Sequence, residues 1–151
     1  MDEFREAVSS VDLAGGALVI EGKSFGARVA SMVVDSVPTR GLVCLGYPFH
    51  PIGKPEQLRT VHLTTLVTPT LVCQGTRELL GSSVEVAGYG LPPIIQFCWL
   101  EEADHDFRPR KATSGRTAAQ NLDEAANAVG GFLVQVVTSE QWRSAFRCRS
   151  R

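Results

Sequence analysis

The chain has 151 residues, 44% of them apolar and 21% charged, and its 15 Lys and Arg against 16 Asp and Glu leave a net charge of -1. One soluble globular domain fits that balance, whereas a disordered, collagen-like or membrane-embedded chain does not. The near-zero charge also removes the electrostatic case for nucleic acid and leaves a small molecule as the expected ligand.

The first segment, "MDEFREAVSS", is acidic and has no apolar stretch of the kind a signal peptide carries. It is expected to form a helix over one face of the fold. No run of about 18 apolar residues follows it, so no membrane partner is expected and the cytoplasm is the expected compartment. Four short apolar runs then read as strands buried on both faces: 17–21 "ALVIE", 41–46 "GLVCLG", 69–74 "PTLVCQ" and 94–100 "IIQFCWL". Between the first two lies "FGARVASMVVD", with apolar residues at helical spacing, ended before Pro38. A helix between two buried strands implies a parallel crossover, hence an α/β fold with a mostly parallel sheet of about four strands and flanking helices.

After the fourth run, Thr117 and Gln120 form a capping-box pattern. It stands ahead of Ala118, Leu122, Ala125, Val129, Phe132 and Val136, which recur at spacings of four and three. That predicts one long amphipathic helix, weakened where Gly130 and Gly131 fall. The tail from Ser139 carries Arg143, Arg147, Arg149 and Arg151 and reads as a solvated end. The cysteines at 44, 73 and 98 sit in apolar runs with no C-x-x-C spacing, as buried reduced thiols do; the fourth is Cys148.

In a parallel sheet the loops at the carboxyl ends of the strands share one edge, where ligands bind. Here those loops are "GKSFG", "YPFHP", "GTRE" and "EEADHD". Ser24, in the Gly22-Lys23-Ser24-Phe25-Gly26 pattern, falls between a strand and a helix, the context of a nucleophile elbow. Glu78 and His105 follow in the order of an acyl-hydrolase triad. In that chemistry His105 removes the serine proton, Glu78 orients the imidazole, and the backbone N–H of Phe25 is an oxyanion donor; neither metal nor cofactor is required. Gly22 and Gly26 would let helix and strand pack closely.

Each residue has a plainer alternative. His105 is also placed to pair with Asp104 or Asp106, and Glu78 to start a helix. Lys23, Tyr47 and His50 are the substrate-pocket candidates, although His50 equally suits turn packing between two prolines. His62 reads as a surface position. "FRPRK", 107–111, is either an anion-binding loop or a solvated one.

With these segments in view, the chain resembles small dienelactone-hydrolase-like bacterial proteins of the α/β-hydrolase superfamily. These are related to testis-expressed hydrolase-like proteins and to a hydrolase-like domain in an animal chromatin-complex subunit. "GKSFGARVASMV", "GLVCLGYPFHPIGKPEQLRTVHL", "TPTLVCQGTRELLG" and "WLEEADHDFRPRK" carry the resemblance. It implies Ser24 as nucleophile, His105 as base, and Glu78 as acid where this branch commonly has Asp. It also implies three or four strands ahead of the elbow strand, with a loop that supplies a second oxyanion N–H. Residues 1–137 therefore read as the C-terminal portion of such a domain, and 138–151 as an Arg-rich tail. An elbow strand without those neighbours would be an unpaired apolar edge, open to homodimerisation. The implied activity is hydrolysis of a small ester-like or lactone substrate. The second reading is an inactive hydrolase-fold scaffold for protein interaction.

Overall fold

The computed structural model of the chain describes residues 2–11 and 18–139. Ala17, Cys148 and the arginines of the tail lie outside the described residues. In chain order the elements are α1 (Asp2–Ser9), β1 (Val19–Lys23), α2 (Phe25–Val33), β2 (Gly41–Leu45), β3 (Thr70–Gly75), α3 (Ser83–Val86), β4 (Ile95–Leu100), α4 (Lys111–Ser114) and α5 (Ala118–Thr138). Short 3₁₀ turns cover Val34–Ser36 and Val61–Thr65.

The four strands form one sheet in the order β1-β2-β3-β4, and every pairing is parallel. Successive side chains alternate between two faces, so each face has its own apolar layer. On one face Ile20, Leu42, Cys44, Val72 and Ile95 pack with Ala27 and Ala30 of α2, and Phe4 and Val8 of α1 lie against the same layer. On the other, Val43, Leu71, Cys73 and Leu100 pack with Ala125, Phe132 and Val136 of α5. The N-terminal helix over one face is thus present.

The long helix is continuous through Gly130 and Gly131, because its buried stripe carries it across the weak spot. Its capping box is formed as expected, with Gln120 N–H donating to Thr117 Oγ1. The expected stripe holds at Ala125, Phe132 and Val136 and fails at the start of the helix. Ala118 and Leu122 are exposed, and Asn121 is buried in their place.

β1 ends the sheet, with no strand on its outer side among the described residues. It is less apolar than expected: Glu21 and Lys23 are exposed on the α5 face, and only Ile20 is fully buried. The strand also runs two residues further than the apolar run, through Gly22 and Lys23, and Ser24 N–H still donates to Leu45 O at 2.9 Å.

The two glycines of the elbow pattern are not equivalent. A Cβ on Gly22 would lie 2.5 Å from Ala27 N and 2.7 Å from Ala27 Cα, both backbone atoms of α2, whereas nothing lies within 4 Å of one on Gly26. Close packing is therefore the property of Gly22 alone. Gly22→Ala is expected to cost about 3 kcal/mol in chemical denaturation, and Gly26→Ala to add about 0.5 kcal/mol by helix propensity. Equal effects at the two positions would contradict the packing geometry.

Candidate active site

β1 hands the chain to α2 through a single residue. Ser24 has φ 52 and ψ -118, a region that L residues rarely occupy, and its side chain makes no capping bond to the helix. A side chain held there is strained by about 1–3 kcal/mol, and such strain gathers at functional sites. Ser24 is half-buried at the start of α2. There the N–H of Phe25 lacks a helical partner, while Arg28 N–H takes Ser24 O at 3.2 Å.

Glu78 leaves the end of β3 in a tight turn, its N–H donating to Gly75 O at 3.1 Å. It does not begin a helix. Its carboxylate is 2% exposed and has two partners: Leu80 N–H donates to Oε1 at 3.1 Å, and His105 Nδ1 lies 2.7 Å from Oε2. His105 thus pairs with Glu78, while its acidic neighbours do other things. Asp104 accepts from the N–H groups of Asp106 and Arg108, at 3.0 Å each, and shapes the loop; Asp106 takes Lys23 Nζ at 2.7 Å.

Two residues with positive φ, Glu102 and Phe107, bracket this loop. A bridge between Ala103 and Pro109 closes it. Gly75 lets the loop lie against the end of β3, since a Cβ there would collide with Ala103 O. The imidazole rests on Gly46, whose added Cβ would stand 3.2 Å from His105 Nδ1. Gly46 follows the β2 residue bonded to Ser24, so the ring lies over the strand neighbour of the serine. No hydrogen bond joins Ser24 Oγ to the ring among the described residues. Such bonds are commonly long before substrate binds.

The pocket candidates fall elsewhere. Lys23 is engaged by Asp106, and as both groups are half exposed the pair adds little stability. Tyr47 is 1% exposed because the chain turns back into the core after β2; its hydroxyl contacts Ser31 Oγ, His62 Nε2 and Arg59 O, and burial pushes its pKa up to about 12. His50 is buried as well, its Nδ1 2.9 Å from Pro51 O. Arg110 of the "FRPRK" loop is bound to Glu102. A cavity of about 300 Å³ lies at the β4 edge against Phe97 and Trp99, and Ser24, Glu78 and His105 do not line it.

His62 is not a free surface residue. Its Nε2 meets Ser31 Oγ at 2.8 Å, and burial, with help from the nearby Arg28 cation, holds its pKa below the ordinary histidine value. The unfolded chain takes up this proton near pH 6.5, before the folded one does. The network's stabilisation is therefore complete above about pH 6.5 and is lost as pH falls through the lower folded value. The melting temperature of the wild type is expected to drop more between pH 7.5 and 5.5 than that of His62→Gln; parallel slopes would contradict this.

Two buried amides brace the site, and neither was among the expected functional residues. Gln74 is wholly buried at the end of β3: Oε1 accepts Tyr47 N–H at 2.7 Å, and Nε2 donates to Tyr47 O at 3.0 Å and Gly81 O at 3.1 Å. It thereby fastens the loop after β2 to the loop that bears Glu78. Asn121 of α5 donates to Phe107 O at 3.1 Å and holds the end of the His105 loop. The available signal was a polar residue at the tip of an otherwise apolar run, "LVCQG".

A family model described as an alpha/beta hydrolase domain matches residues 1–134. The chain belongs to the α/β-hydrolase family. The esterase domain of a Rhodothermus marinus protein has a similar fold, with a TM-score of 0.53 and 15% sequence identity. The likeness covers 79% of this chain and 59% of that one. This α/β-hydrolase domain thus spans about three fifths of that esterase-domain chain, with an all-parallel four-stranded sheet and flanking helices.

Proposed function

We propose that this α/β-hydrolase domain carries the nucleophile, base and acid of a serine hydrolase acting on small esters or lactones. The observation that carries the reading is the bonded pair of His105 and buried Glu78, set over the strand neighbour of a strained serine.

In this mechanism Ser24 Oγ attacks the acyl carbonyl while His105 Nε2 takes its proton. Glu78 Oε2 accepts the Nδ1–H bond, which fixes the tautomer that leaves Nε2 free and stabilises the imidazolium that forms. Phe25 N–H, at the positive end of α2, stabilises the tetrahedral oxyanion. His105 then protonates the leaving alcohol, and water attacks the acyl-serine with the same histidine as base. Phe25 supplies one donor. A site that lacks the second runs about 10² to 10³ slower.

The test is turnover of short-chain nitrophenyl esters and small lactones by the purified chain. Saturable hydrolysis that stops after one equivalent of a fluorophosphonate supports the proposal. A folded chain that turns over none of them refutes catalysis by this chain alone.

A second reading, the inactive scaffold, draws on the outer edge of β1, which pairs with no strand among the described residues. It requires a protein partner whose binding is unchanged when Ser24 and His105 are both replaced by alanine.

A further inference from the structure

Cys73 on β3 and Cys98 on β4 are direct register partners, and both side chains point to the α5 face. Adjacent strands run about 4.8 Å apart, inside the roughly 4.4–6.8 Å that separates the Cα atoms of a disulfide. Both thiols are free, and neither takes part in the acyl chemistry proposed above. Cys44 cannot substitute for either one: it stands opposite Val72 and points to the α2 face.

The two thiols differ in access. Cys73 is fully buried, whereas Cys98 is half-buried near Arg116 and Glu124. The adjoining Cys73 thiol favours the thiolate of Cys98 and holds its pKa below the ordinary value, with Arg116 acting in the same direction and burial and Glu124 against it. The same contact, together with burial, pushes the Cys73 thiol up. Thiolate character and exposure decide which sulfur meets an oxidant first, and both choose Cys98.

We propose that Cys73 and Cys98 form a peroxide-sensitive dithiol site that closes to a cross-strand disulfide. The Cys98 thiolate attacks one oxygen of hydrogen peroxide, the O–O bond breaks, and the departing hydroxide takes up a proton as water. Cys98 is left as the sulfenic acid. The Cys73 sulfur then attacks the Cys98 sulfur, the S–O bond breaks, and hydroxide leaves with the Cys73 proton as a second water. Two thiols are oxidised and one peroxide is reduced to two waters. The link joins the two strands whose ends present Glu78 and His105.

The experiment treats the full chain with a few equivalents of hydrogen peroxide, then alkylates it under denaturing conditions and maps the peptides. The expected product is a linked pair containing Cys73 and Cys98, 2 Da lighter than the two thiol peptides together and restored by dithiothreitol. In Cys73→Ser, dimedone is expected to trap sulfenic acid at Cys98; in Cys98→Ser, Cys73 is expected to stay fully alkylatable. Full alkylation of both cysteines in the treated wild type overturns the proposal. So does Cys98 advancing to sulfinic acid while Cys73 remains a thiol, or a linkage to Cys44 or Cys148 instead. These readouts do not depend on hydrolase activity.

Discussion

Ser24→Gly is expected to lower turnover of an activated ester by about 10⁶-fold, the loss that follows when a triad serine is removed, and at the same time to stabilise the fold. The two effects have one cause. The φ 52, ψ -118 conformation that aims the hydroxyl is strained for serine and unstrained for glycine, so relief of about 1–3 kcal/mol outweighs glycine's greater backbone entropy. A net gain of about 1 kcal/mol in urea denaturation is expected. Ser24→Ala keeps the strain and is expected to lose the activity without gaining the stability. If the glycine and alanine variants are equally stable, the strained-elbow account fails; if either retains substantial turnover, Ser24 is not the nucleophile.

Glu78→Gln is expected to reduce kcat by about 10⁴-fold with little change in KM. The substitution preserves shape and removes one acceptor. Glu78 uses both oxygens, Oε1 for Leu80 N–H and Oε2 for His105 Nδ1. A glutamine oxygen that keeps the Leu80 bond turns its NH₂ toward Nδ1, which forces the proton onto Nε2, where the base must be free. Glu78→Asp keeps the charge but draws it back by one methylene, and is expected to fall between the two. Wild-type kcat in Glu78→Gln would show that the buried carboxylate only packs the loop.

Legibility in the sequence followed the physics of each feature. β2, β3 and β4 came within a residue or so of their apolar runs, because strands buried on both faces leave a continuous signature. The apolar run lies two residues ahead of β1, since Gly22 and Lys23 are small or polar, yet the ladder runs through them. The pairing of Glu78 with His105 across 27 positions was readable because strand ends share one edge in a parallel sheet.

Distances between loops were not readable. Tyr47 and His50 lie on the expected edge by chain position, but the segment after β2 folds inward and buries both. His62 looked solvated because its partners, Ser31 and Tyr47, are 31 and 15 positions away. Asn121 displaced Leu122 from the buried stripe because its amide satisfies both Phe107 O and Arg116, a gain that hydrophobic spacing does not encode.

The most direct measurement of the central claim is peptide mapping of the folded chain after reaction with a fluorophosphonate. The account predicts one adduct, on the peptide that contains Ser24, and its loss in His105→Ala while that variant remains folded. An adduct on another serine, or none on a folded wild-type chain, would contradict it.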